Sequence, residues 1–159
     1  MSRGGRPRAV FDCMVFLQAT AGPEGPAARL FVDFVEGGRL ELYVSDVIIE
    51  EVRDVLGRPR IRVKNPTITD KGVEDFCDRI RQAAQRIDPV PAAFTLARDP
   101  DDEPYLNLAI AAAADYLVTR DNDMLDLMRD GTFRARYPTL TILDPVALLQ
   151  VLNPPPPQP

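Results

Sequence analysis

Short apolar segments alternate with helical patterns along most of this chain, and this alternation constrains the fold more than any other feature. Apolar runs typical of strands lie at 8–11, 40–44, 116–119 and 140–143. Apolar residues recur at helical spacing at 27–36, 46–56, 70–87, 103–114, 124–128 and 145–152. Strands that alternate with helices predict an α/β fold whose parallel sheet is connected by right-handed crossovers.

The length of 159 residues suits a single domain. We expect this domain to span 8–152, after a flexible glycine-rich N-terminus (1–7) and before a flexible proline-rich tail (153–159). No apolar run approaches the ~18–20 residues of a membrane span, and the first residues lack the apolar core of a signal peptide. The sequence therefore predicts a cytoplasmic protein that does not enter a membrane.

The chain contains no histidine. This absence excludes Ser-His-Asp and Cys-His nucleophilic sites, and every zinc site that uses histidine. The two cysteines, Cys13 and Cys77, are too far apart in sequence for a paired zinc motif, and the net charge of −5 argues against a generally basic nucleic-acid coat. Acid–base or metal chemistry must therefore depend mainly on carboxylates.

Carboxylates follow the predicted strands at the edge where α/β sheets bind ligands. Asp12 follows the first strand, Asp121 and Asp123 follow the third, and the turn at 99–103 holds four more acids. Helix capping is the more common role for any one aspartate before a helix, and it accounts for Asp102 or Asp121 taken alone. It does not account for Asp12, or for two aspartates two positions apart.

Glu50 and Glu51 are separated by the helical wheel of the segment after the second strand. Glu51 falls among the apolar residues of the helix, whereas Glu50 falls on the polar side. An acid on an inward face is costly unless it is paired or binds a metal. Together with the strand-end acids, Glu51 indicates an oxygen-rich site suited to Mg²⁺ or Mn²⁺, with structural capping as the open alternative.

Four stretches of the sequence, in this order and spacing, resemble the PIN domain family. They are Val10-Phe11-Asp12-Cys13-Met14-Val15, Val44-Ser45-Asp46 through Glu51 with Arg58-Pro59, Asp99-Pro100-Asp101-Asp102, and 114–125. The chain is most similar to the branch that contains toxin components of toxin–antitoxin systems. The resemblance implies a three-layer α/β/α fold with a central, mainly parallel twisted sheet of four or five strands.

The resemblance also implies an activity, a metal and partners. It predicts an Mg²⁺- or Mn²⁺-dependent endoribonuclease that acts on single-stranded RNA, with an antitoxin protein as partner and a homodimer as one assembly. The family's metal-binding acids fall on Asp12, Glu51, Asp102 and Asp121, with Asp123 as an accessory acid and Thr119 as a hydroxyl that orients the acids. Glu103 stays an alternative to Asp102 as the third acid.

Two other residues qualify this hypothesis. Met14 replaces an asparagine that the family usually has after the first acid, so a catalytically degenerate PIN domain that binds RNA or a protein without cleavage is the alternative function. Arginine accounts for most of the basic residues, and Arg120 is the best candidate for an RNA contact because it lies between Thr119 and Asp121. Most of the other arginines are expected to pair with acids.

Two unrelated α/β classes do not fit the sequence. A phosphorylatable receiver domain needs a lysine after a late strand, but the only lysines, Lys64 and Lys71, lie between helices. A phosphatase of the haloacid dehalogenase type needs an aspartate two positions after the first, where this chain has Met14.

Overall fold

The computed structural model describes residues 5–96 and 99–153. Its strands are β1 (Arg8–Phe11), β2 (Glu41–Val44), β3 (Gln85–Arg86), β4 (Tyr116–Val118) and β5 (Thr141–Leu143). Its α-helices are α1 (Cys13–Ala21), α2 (Pro26–Arg29), α3 (Asp46–Gly57), α4 (Pro59–Lys64), α5 (Asp70–Ala83), α6 (Glu103–Ala111), α7 (Asn122–Leu125), α8 (Gly131–Arg136) and α9 (Pro145–Leu152). The predictions for residues 1–4 and 154–159 lie outside the described residues.

The strands form one parallel sheet in the order β3-β2-β1-β4-β5. The chain adds β2 and β3 on one side of β1 and then returns to add β4 and β5 on the other side. The strand order therefore reverses between β1 and β4, and a crevice opens at the carboxyl ends of strands at such a reversal. The predicted fold, helices around a parallel sheet of four or five strands, is confirmed.

Helices cover the sheet on both faces. Right-handed crossovers place the helices between β1 and β3 on one face and those between β3 and β5 on the other. Accordingly α1 contacts α2 and α3, α3 contacts α5, and α6 packs on β1, β2 and β4. The central strands are buried and supply core residues such as Val10, Leu42 and Leu117. Within the described residues, no helix is long and apolar enough to cross a membrane.

Helix α1 is the largest difference between the predicted and observed elements. The sequence analysis placed no helix directly after the first strand, yet Cys13–Ala21 is helical. Most of this segment is apolar, and Cys13, Val15, Phe16 and Leu17 are all buried. A helix that is apolar on nearly all sides shows no amphipathic stripe, so its period is hidden in the sequence.

The predicted helix at 70–87 is too long. Helix α5 ends at Ala83, and Gln85–Arg86 forms β3, an edge strand that pairs with Tyr43 and Val44. Ile87 continues this pairing, because its N–H donates to the carbonyl of Val44 at 2.9 Å. Two exposed polar residues carry no strand pattern, so only the backbone pairing reveals β3.

Two further differences concern short helices. Helices α4 and α8 were not predicted, because each has only six residues and too few for a clear period. The segment predicted as one helix at 27–36 is α2 followed by a π-helical turn, Leu30–Val35. The turn that follows contains Gly38, whose φ of +78° is in the region that favours glycine.

Candidate active site

A cavity of ≈ 670 Å³ lies at the carboxyl edge of the sheet, beside the ends of β1 and β4. We call it the acid cavity. Its walls include four acids that the sequence analysis selected: Asp12, Glu51, Asp102 and Asp121. They come from four separate segments of the chain, and the fold brings them to one opening.

Asp12 is held by hydrogen bonds to both oxygens of its carboxylate. Oδ1 accepts the N–H of Val15 at 2.9 Å, and Oδ2 accepts the hydroxyl of Thr119. The N–H of Asp12 donates to the carbonyl of Val118 at 3.1 Å, which aligns the ends of β1 and β4. Asp12 therefore caps α1, so the expectation that capping cannot account for it is wrong. The sequence did not predict this cap because it did not predict α1.

Thr119 joins two of the acids and is fully buried. Its Oγ1 donates to Asp12 and accepts the N–H of Asp121 at 2.9 Å. Asp121 in turn caps α7, since its Oδ1 accepts the N–H of Asp123 at 2.8 Å. The hydroxyl thus fixes the relative positions of Asp12 and Asp121.

Asp99, Asp121 and Asp123 form a close group of carboxylates within the described part of the chain. One oxygen from each lies within 4.8 Å of the other two, which is close enough for all three to hold one metal ion. The sequence analysis counted Asp99 among the acids of the 99–103 turn but did not select it as a site residue. Its position depends on the approach of that turn to α7, and no local pattern reports this contact.

Asp102 and Glu103 are neighbours in sequence but face different cavities. Asp102 lines the acid cavity and is 8% exposed. Its Oδ2 is buried and has no hydrogen-bond partner within 5–96 and 99–153. Glu103 instead accepts the N–H of Leu96 at 2.9 Å and lines a second, more apolar cavity. The geometry thus favours Asp102 as the acid that faces the site.

Glu51 reaches the acid cavity from α3, as the helical wheel predicted. Its Oε1 accepts the hydroxyl of Tyr105, a buried residue on α6, and this contact sets the direction of the carboxylate. Glu50 is exposed on the other side of α3, where it pairs with Arg53. Tyr105 therefore packs in the core and orients an acid, rather than offering an open surface on which a base could stack.

Burial and mutual repulsion disfavour charge on these acids. Burial is the main reason that the pKa of Asp102 rises to about 7, and the charges of Asp121 and Asp99 add to it. Burial also raises the pKa of Asp12, against the lowering effect of its bonds to Thr119 and Val15. A bound cation reduces the repulsion among these acids, because its positive charge compensates the negative charges that burial and repulsion disfavour.

Comparison with known proteins identifies the family. The sequence profile described as PIN domain matches residues 8–123, which is most of the chain and includes every acid discussed above. The chain belongs to the PIN domain family. PIN domains are generally metal-dependent nucleases, so the family indicates a hydrolase that acts on nucleic acid. A search of curated proteins found no match to this chain.

The acids of this PIN domain fit a divalent cation. All of the candidate ligands are carboxylates, the donors that Mg²⁺ and Mn²⁺ prefer. The buried Oδ2 of Asp102 has no hydrogen-bond partner among the described residues, and an orphaned buried oxygen is rare in folded proteins. The thiol of Cys13 also lines the cavity, but burial raises its pKa to about 12, so it stays protonated and is a poor ligand.

The rim of the site in this PIN domain contains two residues that the sequence analysis noted. Met14 lines the cavity and is 47% exposed, so the position where the family usually has asparagine offers no polar group. Arg120 also lines the cavity and forms no ion pair in the described part of the chain. Arg53 and Arg58, in contrast, pair with acids on the helices, as expected for most arginines.

Proposed function

We propose that this PIN domain is an Mg²⁺- or Mn²⁺-dependent endoribonuclease that hydrolyses phosphodiester bonds of single-stranded RNA. The observation that carries the proposal is the convergence of Asp12, Glu51, Asp102 and Asp121 on one cavity, with a buried oxygen of Asp102 left without a partner. Helix capping accounts for Asp12 and Asp121 one at a time, but not for four acids at one cavity, since repulsion among buried carboxylates weakens the folded state.

We assign the metal to these four acids. Asp12, Glu51, Asp102 and Asp121 would hold one or two ions, and Asp123 would complete the shell or orient the attacking water. The close approach of Asp123 and Asp99 to Asp121 supports the accessory role and extends it to Asp99. When bound, the ion lowers the pKa of a water molecule and stabilises negative charge on phosphate oxygens.

The chain's own residues prepare the site before substrate arrives. Thr119 and the N–H of Val15 fix both oxygens of Asp12, while Tyr105 fixes Glu51. This orientation matters because ligands that are already in place need no rearrangement during the reaction. The thiol of Cys13 takes no part as a nucleophile, because its high pKa keeps it protonated.

Hydrolysis requires one bond to form and one to break. The oxygen of a water molecule forms the new bond to phosphorus, and the bond from phosphorus to the leaving sugar oxygen breaks. The proton that the water loses passes to a carboxylate of the cavity and then to solvent, and the leaving oxygen takes a proton from solvent. Arg120, at the rim, binds a phosphate of the strand.

The wider biological role follows the resemblance. We propose that the protein is the toxin of a toxin–antitoxin pair and acts on RNA in the cytoplasm, where an antitoxin protein restrains it. Induced expression in a bacterial host tests this role. Growth should stop with wild type and continue with Asp121→Asn, and unimpaired growth with both would count against the toxin role while leaving the nuclease untouched.

A degenerate PIN domain that binds RNA or a protein without cleavage is the second candidate. Met14 favours it, because this exposed thioether lines the acid cavity where an amide would help to position site groups. Met14→Asn separates the two functions. A gain of cleavage in this variant from an inactive wild type would identify Met14 as the cause of degeneracy.

The direct test is cleavage of a mixed-sequence single-stranded RNA with Mn²⁺, with Mg²⁺ and with EDTA. We expect cleavage that requires metal and is lost in Asp12→Asn and Asp121→Asn, with slower cleavage of the same RNA in a duplex. Asp33→Asn is the matched control, since it removes an equal charge from an exposed residue outside the cavity. Cleavage that persists in EDTA would point to a contaminating nuclease.

A further inference from the structure

A second, smaller cavity adjoins the acid cavity at the C-terminal end of α1. Its volume is ≈ 320 Å³, at the lower end of the ~300–1,000 Å³ range of pockets that hold small ligands. Gln18 and Arg120 line both cavities. The two openings therefore meet along these two side chains, and a molecule long enough to occupy both must pass over them.

Gln18, which lines both cavities, has an amide oxygen with unused bonding capacity. Its Oε1 is buried and has no hydrogen-bond partner among the described residues, the only side-chain oxygen besides Asp102 Oδ2 for which this holds there. A buried acceptor without a partner is unfavourable unless a ligand or water supplies a donor. Gln18 lies one helical turn after Met14, so it is the next residue of α1 on that side of the acid cavity.

Arg120 supplies positive charge at the same junction. It is exposed, and no ion pair neutralises it within the described part of the chain. Arg58 and Arg62 differ from it, because Arg58 pairs with Asp54 and Arg62 with Asp70. An unpaired guanidinium beside a cluster of acids is available for the phosphate of a nucleic acid.

The smaller cavity has a lining that suits a nucleotide rather than a cation. Apart from Gln18 and Arg120, its described lining residues are small or apolar, with none acidic: Ala21, Gly22, Gly25, Pro26 and Ala27. Glu24 is in the same turn but does not line the cavity. A Cβ added to Gly25 would lie 3.3 Å from the carbonyl oxygen of Gly22, so the turn is already closely packed.

We infer that the RNA strand continues from the acid cavity across Gln18 and Arg120 into the smaller cavity, which binds the second nucleotide beyond the scissile phosphate. Arg120 binds a phosphate at the junction, and the Gln18 amide bonds to a polar group of the adjacent nucleotide. This inference rests on the proposed ribonuclease function and extends it. The enzyme then requires a strand that reaches beyond the cleaved bond on the side of this cavity.

Cleavage of RNA substrates of increasing length tests the strand path. For a 12-nucleotide RNA we expect kcat/KM to fall about tenfold in Arg120→Ala and several-fold in Gln18→Ala, mostly through KM, as for lost hydrogen bonds to charged and neutral groups. For a dinucleotide, which cannot fill both cavities, both variants should approach wild type. Gln82→Ala and Arg129→Ala are matched controls, since both residues are exposed and line neither cavity.

Salt dependence of binding separates the two roles. The slope of log K against log salt for the 12-nucleotide RNA, measured with Mn²⁺ by fluorescence anisotropy, should become shallower by about 0.7 in Arg120→Ala. It should not change in Gln18→Ala, because this variant removes no charge. Melting curves of the variants confirm that each is folded before the comparison is made.

The outcomes distinguish this inference from the proposed function. If wild type cleaves RNA and the two variants match their controls at every length, the strand path is wrong and the nuclease stands. If wild type binds RNA without cleavage and both variants weaken binding, the nuclease proposal fails and the strand path stands. The strand path is overturned if kcat/KM of Arg120→Ala and Gln18→Ala falls equally for RNA of every length. It is also overturned if wild type does not bind RNA.

Discussion

The acid cavity and the more apolar cavity beside it are nearly equal in size, at ≈ 670 and ≈ 700 Å³, and the turn before α6 separates them. In the apolar cavity the polar groups are occupied by the backbone. Glu103 accepts the N–H of Leu96, and Asn107 accepts the N–H groups of Ala93 and Phe94. In the acid cavity Asp102 keeps an unpartnered oxygen within the described structure.

This difference shows that size and residue type do not identify a functional cavity. Both cavities contain acids, and in the acid cavity burial raises the pKa of Asp102 to about 7. The fold uses Glu103 to hold a loop and leaves its neighbour Asp102 free to bind a ligand. Asp102 is therefore expected to serve the chemistry of the site, and Glu103 to serve the structure of the loop.

Removal of charge from Asp102 and from Glu103 should have very different effects on cleavage. We expect Asp102→Asn to lower kcat by about a hundredfold or more, because it removes an acid assigned to the metal that stabilises the reacting phosphate. Glu103→Gln should stay within a few-fold of wild type. Steady-state cleavage of single-stranded RNA with Mn²⁺ measures both, and equal losses would remove the distinction between the cavities.

Thr119→Val tests whether the acid cavity depends on orientation. Valine has a similar shape but leaves Asp12 Oδ2 without a donor and the N–H of Asp121 without an acceptor. We expect a loss of about 10–100-fold in metal affinity or activity, typical of groups that orient metal ligands. Thr119→Ser should restore most of it, and a serine variant as poor as valine would show that shape rather than the hydroxyl matters.

The metal-free protein should become less stable as pH rises, and Asp102→Asn should remove part of this dependence. Because the pKa of Asp102 is raised to about 7 in the folded state, its favourable contribution is complete below the unfolded pKa near 4 and is lost as pH rises through 7. The Tm of the variant relative to wild type should therefore rise by several degrees between pH 4 and pH 8. A change of 1 kcal/mol in the free energy of unfolding corresponds to about 2–4 °C.

Thermal melts in EDTA across this pH range measure the difference in Tm between Asp102→Asn and wild type. Glu103→Gln serves as the control, since it alters an adjacent acid that faces the other cavity. A Tm difference between Asp102→Asn and wild type that is constant with pH, or that grows toward low pH, would contradict the raised pKa of Asp102.

Asn107→Ala tests the apolar cavity and should affect stability alone. The variant leaves the N–H groups of Ala93 and Phe94 without their acceptor, which should lower the free energy of unfolding by about 1–3 kcal/mol. Cleavage at a temperature where the protein is folded should be close to wild type. Urea unfolding measures the change, and a large loss of activity in folded protein would link this cavity to the chemistry.

The sequence predicted those parts of the molecule that depend on local pattern. The α/β fold with its parallel sheet followed from the alternation of elements, and the inward position of Glu51 followed from the wheel of α3. Helix α1 was not predicted, because a helix that is apolar nearly all round hides its period. Gln18 was missed with it, since no helix was expected at that position.

The features that the sequence did not predict depend on contacts between distant segments of the chain. Asp99 approaches Asp121 and Asp123 only because the turn before α6 lies against the start of α7. The opposite directions of Asp102 and Glu103 depend on the turn Pro100–Asp102, whose register the spacing of residues did not determine. Strand β3 likewise exists because β2 offers it a free edge.

Titration of Mn²⁺ into wild type, Asp102→Asn and Glu103→Gln, followed by calorimetry, tests directly whether Asp102 binds the metal and Glu103 does not. It needs no substrate and no assumption about the RNA. We expect wild type and Glu103→Gln to bind Mn²⁺ with similar affinity, and Asp102→Asn to bind Mn²⁺ at least about tenfold more weakly. Equal affinity in Asp102→Asn and wild type, or weak binding only in Glu103→Gln, would contradict it.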